Sequence, residues 1–338
     1  MSSMPAPPAP APTPTQRRVA IELFDQRGRR PSFDPMIGPE LRARLEEAIG
    51  PLVADRQPDD PLYLAKRTLG LIHSCEGSLV ADRETPFVWS VAAARGSVAH
   101  KAVELAVTLR GDPSPLDLVE LAIERLIDSR DRGVSAWLLD APAADVAEVR
   151  GAAADWVVKF QDTFPTLQRA WRPRVESALT VDLCGGRVTL RGKVDLALGR
   201  AAGTTARVLI VDFKTGRPQP VHGEDLRFYA LLETIRVGVP PFRLATFSLD
   251  SGSWVSEDID DDVLTSAVRR TIDATAKLVA LEEGTPPALR AGPFCRWCPA
   301  ASRCPTAPSD LRDVDLRDDD ADAGPVAPAD RHVGSRSA

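Results

Sequence analysis

Residues 187–229 read RVTLRGKVDLALGRAAGTTARVLIVDFKTGRPQPVHGEDLRFY, and this stretch decides the fold. Residues 208–211 form a short apolar run that is typical of a strand buried on both faces. Asp212 and Lys214 follow the run two positions apart, so both side chains point to the same face of the strand. Asp195 lies in an earlier β-type segment, GKVDLAL. Because isolated charges are costly to bury unless they are paired or bind a metal ion, the pattern indicates a functional site.

These charged residues predict metal-dependent hydrolysis of phosphodiesters. The carboxylates of Asp195 and Asp212, with the backbone carbonyl of Phe213, supply the oxygen ligands that Mg²⁺ or Mn²⁺ prefers. Lys214 is then expected to hold or deprotonate the attacking water and to stabilise the charge that develops on the phosphate. The alternative is a surface Asp–Lys pair on an edge strand, because a D-x-K motif alone is common by chance.

The order of the motifs resembles the RecB-like branch of the PD-(D/E)XK nucleases. This branch includes the nuclease domains of RecB and AddB helicase–nucleases and the CRISPR-adaptation nucleases with an iron–sulfur cluster. Its pattern is a histidine on an early helix, G-x-x-D on one strand, D-x-K on the next and Q-x-x-x-Y on the following helix. The matching positions are His100, Gly192 with Asp195, Asp212 with Lys214, and Tyr229, and the resemblance covers about residues 60–305. Asp225 stands where the pattern has glutamine, a departure that leaves the metal ligands intact.

The resemblance implies an α/β fold with a restriction-endonuclease-like core, in which a mixed central β-sheet is flanked by helices, with a helical insertion and an iron–sulfur clasp. It also implies that His100 is a metal ligand, and the alternative is a half-buried histidine hydrogen-bonded to a neighbour. Glu176, at the start of the preceding strand, would complete the acidic cluster, unless it is a solvated charge. Tyr229 would orient the phosphate or Lys214, unless it only packs its helix on the sheet.

The sequence predicts three parts with different compositions. They are a disordered Pro/Ala-rich arm (1–35), a nuclease domain (36–305) and a disordered acidic tail (306–338). Within the nuclease domain we expect a helical region (90–165), a catalytic core (173–259) and a cysteine cluster (295–304). Residues 61–75 are predicted as one helix, because Asp60 and Pro61 form a favourable N-cap and N1 pair. In the next helix, Gly96 and His100 share a face, and Gly96 is expected to allow a close backbone approach.

Three cysteines near the end of the domain, Cys295, Cys298 and Cys304, have C-x₂-C-x₅-C spacing. Three close thiols in a chain without a disulfide framework usually indicate a metal, and Cys75 and Cys184 are the candidates for a fourth ligand. Zinc also accepts four thiolates. The resemblance assigns Cys75, Cys295, Cys298 and Cys304 to a structural [4Fe–4S] cluster, with structural zinc as the alternative.

Composition excludes few classes of function. The 338 residues carry a net charge of −6, but the aspartate-rich residues 310–322 supply much of it, so a basic groove for nucleic acid is not excluded. The sequence has no apolar run of about 18 residues and no signal-peptide pattern, so we expect a cytoplasmic location. It also has no P-loop motif, so any ATP-driven unwinding would need a helicase or recombination partner.

Two hypotheses follow for the function. The first is a metal-dependent DNA nuclease, an exonuclease or end-processing enzyme that acts on single-stranded DNA or duplex ends in repair, recombination or defence. The second is a non-catalytic DNA-binding or scaffold module that retains the fold and its iron–sulfur cluster. The intact set of His100, Asp195, Asp212 and Lys214 favours the first, because loss of catalysis usually removes a charged residue.

Overall fold

The computed structural model describes residues 11–25, 28–109, 111, 113–129, 132–216 and 220–311. The helices in these residues are α1 (Pro14–Glu22), α2 (Ile37–Ile49), α3 (Lys66–Ser74), α4 (Glu76–Glu84), α5 (Val91–Thr108), α6 (Pro115–Ile127), α7 (Arg132–Asp140), α8 (Ala143–Thr163), α9 (Pro220–Val237) and α10 (Asp261–Glu282). The strands are β1 (Leu62–Ala65), β2 (Arg174–Leu183), β3 (Val188–Leu198), β4 (Leu209–Lys214), β5 (Arg243–Ser248) and β6 (Trp254–Asp258). None of the described helices is both long enough and apolar enough to cross a membrane.

The strands form one mixed sheet in the order β1-β3-β4-β5-β6, and β2 pairs with the other edge of β3. β2 and β3 make an antiparallel hairpin through Gly185 and Gly186, whose φ angles of 67° and 88° are those that glycine adopts without strain. β4 runs antiparallel to β3 and parallel to β5, and β6 returns antiparallel to β5. A mixed sheet flanked by helices confirms the predicted α/β class.

One edge of β3 has two partners that leave a gap between them. β1 pairs in parallel with residues 188–191, and β4 pairs antiparallel with residues 196–198. In the described part of the chain, residues 192–195 have no strand partner along this edge. We call the space beside residues 192–195, between the carboxyl ends of β1 and β4, the fork. Because both strands end at the fork, the side chains that follow them meet across it.

Helices cover both faces of the sheet and enclose two cores. One core lies against α1, α5, α6 and α8 and contains the aromatic side chains of Phe164, Phe213 and Phe247. The other lies against α2, α3, α9 and α10 and contains Tyr229. Every residue from 209 to 213 is buried, as the apolar run predicts for a strand covered on both faces. The helices α5, α6 and α8 of the predicted helical region therefore pack on one face of the sheet.

The prediction of a single helix over residues 61–75 is wrong at its start. Residues Leu62–Ala65 form strand β1, and helix α3 begins only at Lys66, without a side-chain hydrogen bond at its N-cap. Leu62 and Leu64 are buried in the core because the segment pairs with β3. A long-range strand pairing has here overridden the local signal of Asp60-Pro61.

The prediction of disorder for residues 1–35 is wrong for the part that the structure describes. Helix α1 begins with a capping box, in which Thr13 and Gln16 exchange side-chain-to-backbone hydrogen bonds. Val19 and Leu23 are fully buried and pack in the core beside α8. Residues 1–10 of the predicted arm and 312–338 of the predicted acidic tail lie outside the described residues.

Candidate active site

Two predicted metal ligands, His100 and Asp195, lie together with Glu176, the residue predicted to complete the acidic cluster. One ligand atom from each lies within 4.8 Å of those of the other two. They come from α5, β2 and β3, and Nδ1 of His100 lies 3.6 Å from Oδ2 of Asp195. A cavity of about 10 Å³ adjoins them, which is close to the space that one water-sized group needs. The expected close approach at Gly96 is wrong, because a Cβ there would meet no atom within 4 Å.

Glu176 reaches this group through an unusual backbone conformation. Its φ angle is 49°, in the left-handed region that non-glycine residues rarely adopt. The pairs on either side, Val175 with Leu196 and Ser177 with Val194, place Glu176 opposite Asp195 across the hairpin. Its carboxylate forms an ion pair with Lys193. Backbone strain of this kind is often found where a side chain serves a functional site.

Asp195 is held by the backbone of the neighbouring strand. Its Oδ2 accepts a hydrogen bond of 2.7 Å from the amide of Phe213. Burial raises the pKa of Asp195, the charge of His100 opposes this effect, and Asp212 adds to it. The carboxylate of Asp195 therefore accepts the amide hydrogen bond that a strand carbonyl would otherwise accept. This hydrogen bond holds the carboxylate in a fixed position in the fork.

Asp212 is not part of the group of three ligands. Its buried carboxylate lies between two lysines, with Nζ of Lys66 3.1 Å from Oδ1 and Nζ of Lys214 2.7 Å from Oδ2. Burial alone would raise the pKa of Asp212, but Lys214 and Lys66 outweigh it and hold that pKa well below its usual range. The structure thus divides the predicted set into one group around Asp195 and a second around Asp212, and the two influence each other electrostatically.

The donor atoms of the site fit a hard divalent cation. The carboxylates of Asp195 and Glu176 and the imidazole of His100 provide two oxygen ligands and one nitrogen ligand within 4.8 Å of one another, a set that Mg²⁺ or Mn²⁺ accepts. Both oxygens of Asp212 lie beside an ammonium group, Oδ1 beside Lys66 and Oδ2 beside Lys214. The carbonyl of Phe213 stays a predicted ligand.

Lys66 is the site residue that the sequence did not predict. Its side chain is buried, donates to Asp212, and places Nζ 5.3 Å from the ring centroid of Tyr229. Burial alone would lower the pKa of Lys66, but Asp212, Tyr229 and Asp225 outweigh it and raise that pKa well above its usual value. No local signal in the sequence identifies Lys66, because its position is set by the pairing of residues 62–65 with β3.

Tyr229 and Asp225 of α9 face Lys66 on this side of the sheet. Tyr229 is buried against Gly192, where a Cβ would lie only 2.6 Å from Cε1 of the ring. Glycine in the G-x-x-D motif therefore leaves room for the tyrosine. Burial raises the pKa of Asp225 to about 6, and Lys66 and Lys214 oppose that rise. Asp225 stands where the RecB-like pattern has a glutamine, and the buried Lys66 stabilises the charged form of this aspartate.

The five cysteines all have free thiols, and two of the predicted cluster ligands contact the same residue. Sγ of Cys75 accepts a hydrogen bond of 3.4 Å from the amide of Arg290, and Sγ of Cys295 lies 4.0 Å from the Arg290 carbonyl. Cys298 and Cys304 follow in short 3₁₀ turns. Cys184 instead lies at the turn of the β2–β3 hairpin, with its Sγ 4.0 Å from the carbonyl of Glu46 in α2.

Comparison with known proteins identifies the class. The model of the PD-(D/E)XK nuclease superfamily matches residues 67–305, and the chain therefore belongs to this superfamily. Membership indicates a nuclease that cleaves phosphodiester bonds in DNA, and the mixed sheet is consistent with the superfamily's restriction-endonuclease-like fold. A solved structure described as "Crystal structure of SSO0001" is similar at 17% identity and a TM-score of 0.28, over 62% of this chain and 94% of that chain. No curated protein matches the chain.

Proposed function

We propose that this chain is a Mg²⁺- or Mn²⁺-dependent DNA nuclease of the RecB-like branch of its superfamily. The observation that carries the proposal is the group formed by His100, Glu176 and Asp195 from three separate elements, which interacts electrostatically with the neighbouring pair of Asp212 and Lys214. Packing alone would not select this arrangement, because buried charges are costly. The motifs also occur along the chain in the order typical of that branch.

The divalent ion would be held by His100, Glu176 and Asp195, and Asp212, which lies between Lys66 and Lys214, is the further ligand that the sequence predicts. When bound, such an ion supplies Lewis-acid activation of the phosphate and of the attacking water. The hydrogen bond from the amide of Phe213 fixes Asp195 before any ligand arrives, which lowers the cost of organising the site.

Lys214 would position the attacking water and stabilise the transition state. Its ammonium lies at the end of β4 beside Asp212 and is only partly exposed. A fixed positive charge in such a shielded position stabilises the extra negative charge that the phosphate gains during attack. We further propose that the enzyme trims or processes DNA ends in repair, recombination or defence. Any ATP-driven unwinding would need a helicase or recombination partner, because the sequence has no P-loop motif.

The cysteines Cys75, Cys295, Cys298 and Cys304 would bind a [4Fe–4S] cluster. Two features support the assignment: the C-x₂-C-x₅-C spacing with an upstream cysteine resembles that of the branch, and Cys75 and Cys295 contact the same residue, Arg290. Structural zinc is the alternative. The cluster would join the start of α4 to the end of the domain.

The nuclease proposal is tested by incubating labelled single-stranded and duplex DNA with the protein in the presence of Mg²⁺ or Mn²⁺. We expect degradation that stops with a chelator and falls by roughly 100-fold or more in Lys214→Ala, the scale of losing one electrostatic stabiliser. Lys159→Ala is the matched control, since this lysine pairs with Asp250 on the surface. Absence of activity in the wild type under all of these conditions would support the non-catalytic module instead.

The cluster proposal is tested by metal analysis and absorbance of anaerobically purified protein. We expect iron and sulfide with a broad band near about 400 nm, lost in Cys298→Ser and retained in Cys184→Ser. A colourless sample that contains stoichiometric zinc would reject the iron–sulfur assignment.

A further inference from the structure

Lys66 occupies the position in the fork that faces the end of β4. It is the first residue after β1, and β1 and β4 approach residues 192–195 of β3 from opposite directions. Its ammonium is therefore brought to Oδ1 of Asp212 at 3.1 Å although the two residues are 146 positions apart in sequence. The placement follows from the topology of the sheet and from helix α3 beginning directly after β1.

The surroundings of this ammonium are those of a cation site. Asp212 and Asp225 both interact electrostatically with Lys66, and the ring of Tyr229 lies on a further side. Two carboxylates in a shielded position are the ligands that a hard divalent ion prefers. In this chain the ammonium group of Lys66 already occupies that position.

The other side of the fork has room for one ion. The cavity beside His100, Glu176 and Asp195 is about 10 Å³. Two-metal nucleases hold their ions about 3.5–4 Å apart on shared carboxylates. Asp212 is the carboxylate that interacts electrostatically with Asp195, and its two oxygens already lie beside ammonium groups, Oδ1 beside Lys66 and Oδ2 beside Lys214.

We propose that Lys66 takes the place of a second divalent cation at Asp212, so that the site binds a single metal ion. Lys66 is thus a positioning residue that fixes Asp212 and repels a second cation from Asp212 and Asp225. The inference rests on the proposed metal-dependent function, and it concerns the number of ions rather than the presence of activity.

The test counts Mn²⁺ bound to the full-length protein without DNA, by electron paramagnetic resonance of free Mn²⁺ during titration. We expect one bound Mn²⁺ in the wild type and two in Lys66→Met, which keeps the length of the side chain and removes its charge. In the double variant Lys66→Met/Asp225→Asn the count should return to one, because the second site loses a carboxylate. Lys159→Met should leave the count at one.

Several results would overturn the proposal. The proposal is contradicted if the wild type binds two Mn²⁺ ions. It is also contradicted if a folded Lys66→Met variant binds only one Mn²⁺ ion over the whole titration. If Lys66→Met does not fold, Lys66→Gln and the charge-preserving Lys66→Arg decide the question, with two and one bound ions expected respectively. A wild type that binds no Mn²⁺ would instead reject the proposed function itself, and the role of Lys66 with it.

Discussion

Replacing Gly192 by alanine tests the packing that supports the site. A Cβ at this position would lie 2.6 Å from Cε1 and 2.8 Å from Cδ1 of Tyr229. Carbon atoms in favourable contact are about 3.5–4.0 Å apart, so the ring must move by roughly 1 Å. Tyr229 is only 2% exposed and has little space into which it can move. Overpacking of this kind costs about 1–3 kcal/mol.

The loss is expected to show as a lower free energy of unfolding for Gly192→Ala in urea, by about 1–3 kcal/mol. Gly151→Ala is the matched control, because Gly151 lies in α8 and a Cβ there would meet nothing within 4 Å. Alanine favours the helical state over glycine, so this control should be more stable by about 0.5–1 kcal/mol.

A double-mutant cycle then shows whether Tyr229 is the cause. In a Tyr229→Ala background the ring is absent, so Gly192→Ala should cost little or nothing further. Two results would refute the reasoning. One is a change within about 0.5 kcal/mol for Gly192→Ala alone, the usual range of substitutions without a structural cause. The other is an equal cost with and without the tyrosine ring.

Two further predictions concern the charges of the site. Asp225 has its pKa raised from 3.8 to about 6 by burial, so its contribution to stability is full below pH 3.8 and is lost as the pH rises through 6. Asp225→Asn should therefore raise the free energy of unfolding by up to about 3 kcal/mol at pH 8. Urea titrations should show that this gain vanishes at low pH. A gain that does not depend on pH would contradict burial of the charged carboxylate as its cause. Asp195→Asn keeps an oxygen that accepts the hydrogen bond from the amide of Phe213, so calorimetry should show that the variant is folded. Its affinity for Mn²⁺ should fall by about tenfold or more. An unchanged affinity would show that Asp195 is not a metal ligand.

The sequence was sufficient for the parts of the fold that depend on local patterns. The apolar run before Asp212 predicted a buried strand, which the structure confirms. This signal works because burial on two faces is recorded in residues that are close in sequence. The same reasoning placed the histidine helix, where His100 lies within α5.

The remaining features depend on contacts between distant residues. β1 is only four residues long, and its pairing with β3 could not be read from LYLA alone. Lys66 was missed for the same reason, since its role is defined by Asp212 on another strand. The positive φ of Glu176 leaves no mark in the sequence either, because glutamate has no preference for that conformation.

The division of the sheet explains why an acidic residue is needed at position 195. Where β4 separates from β3, the amide of Phe213 loses the carbonyl that a regular ladder would offer it. A buried amide without an acceptor is costly, and Oδ2 of Asp195 supplies that acceptor at 2.7 Å. One carboxylate thereby satisfies the backbone and is itself fixed toward His100. If β3 and β4 stayed paired through residue 195, the amide would need no side chain and the fork that brings Lys66 to Asp212 would close. The opening in the sheet is therefore a requirement of the site, and the residues that line it stabilise the opening as well as the chemistry.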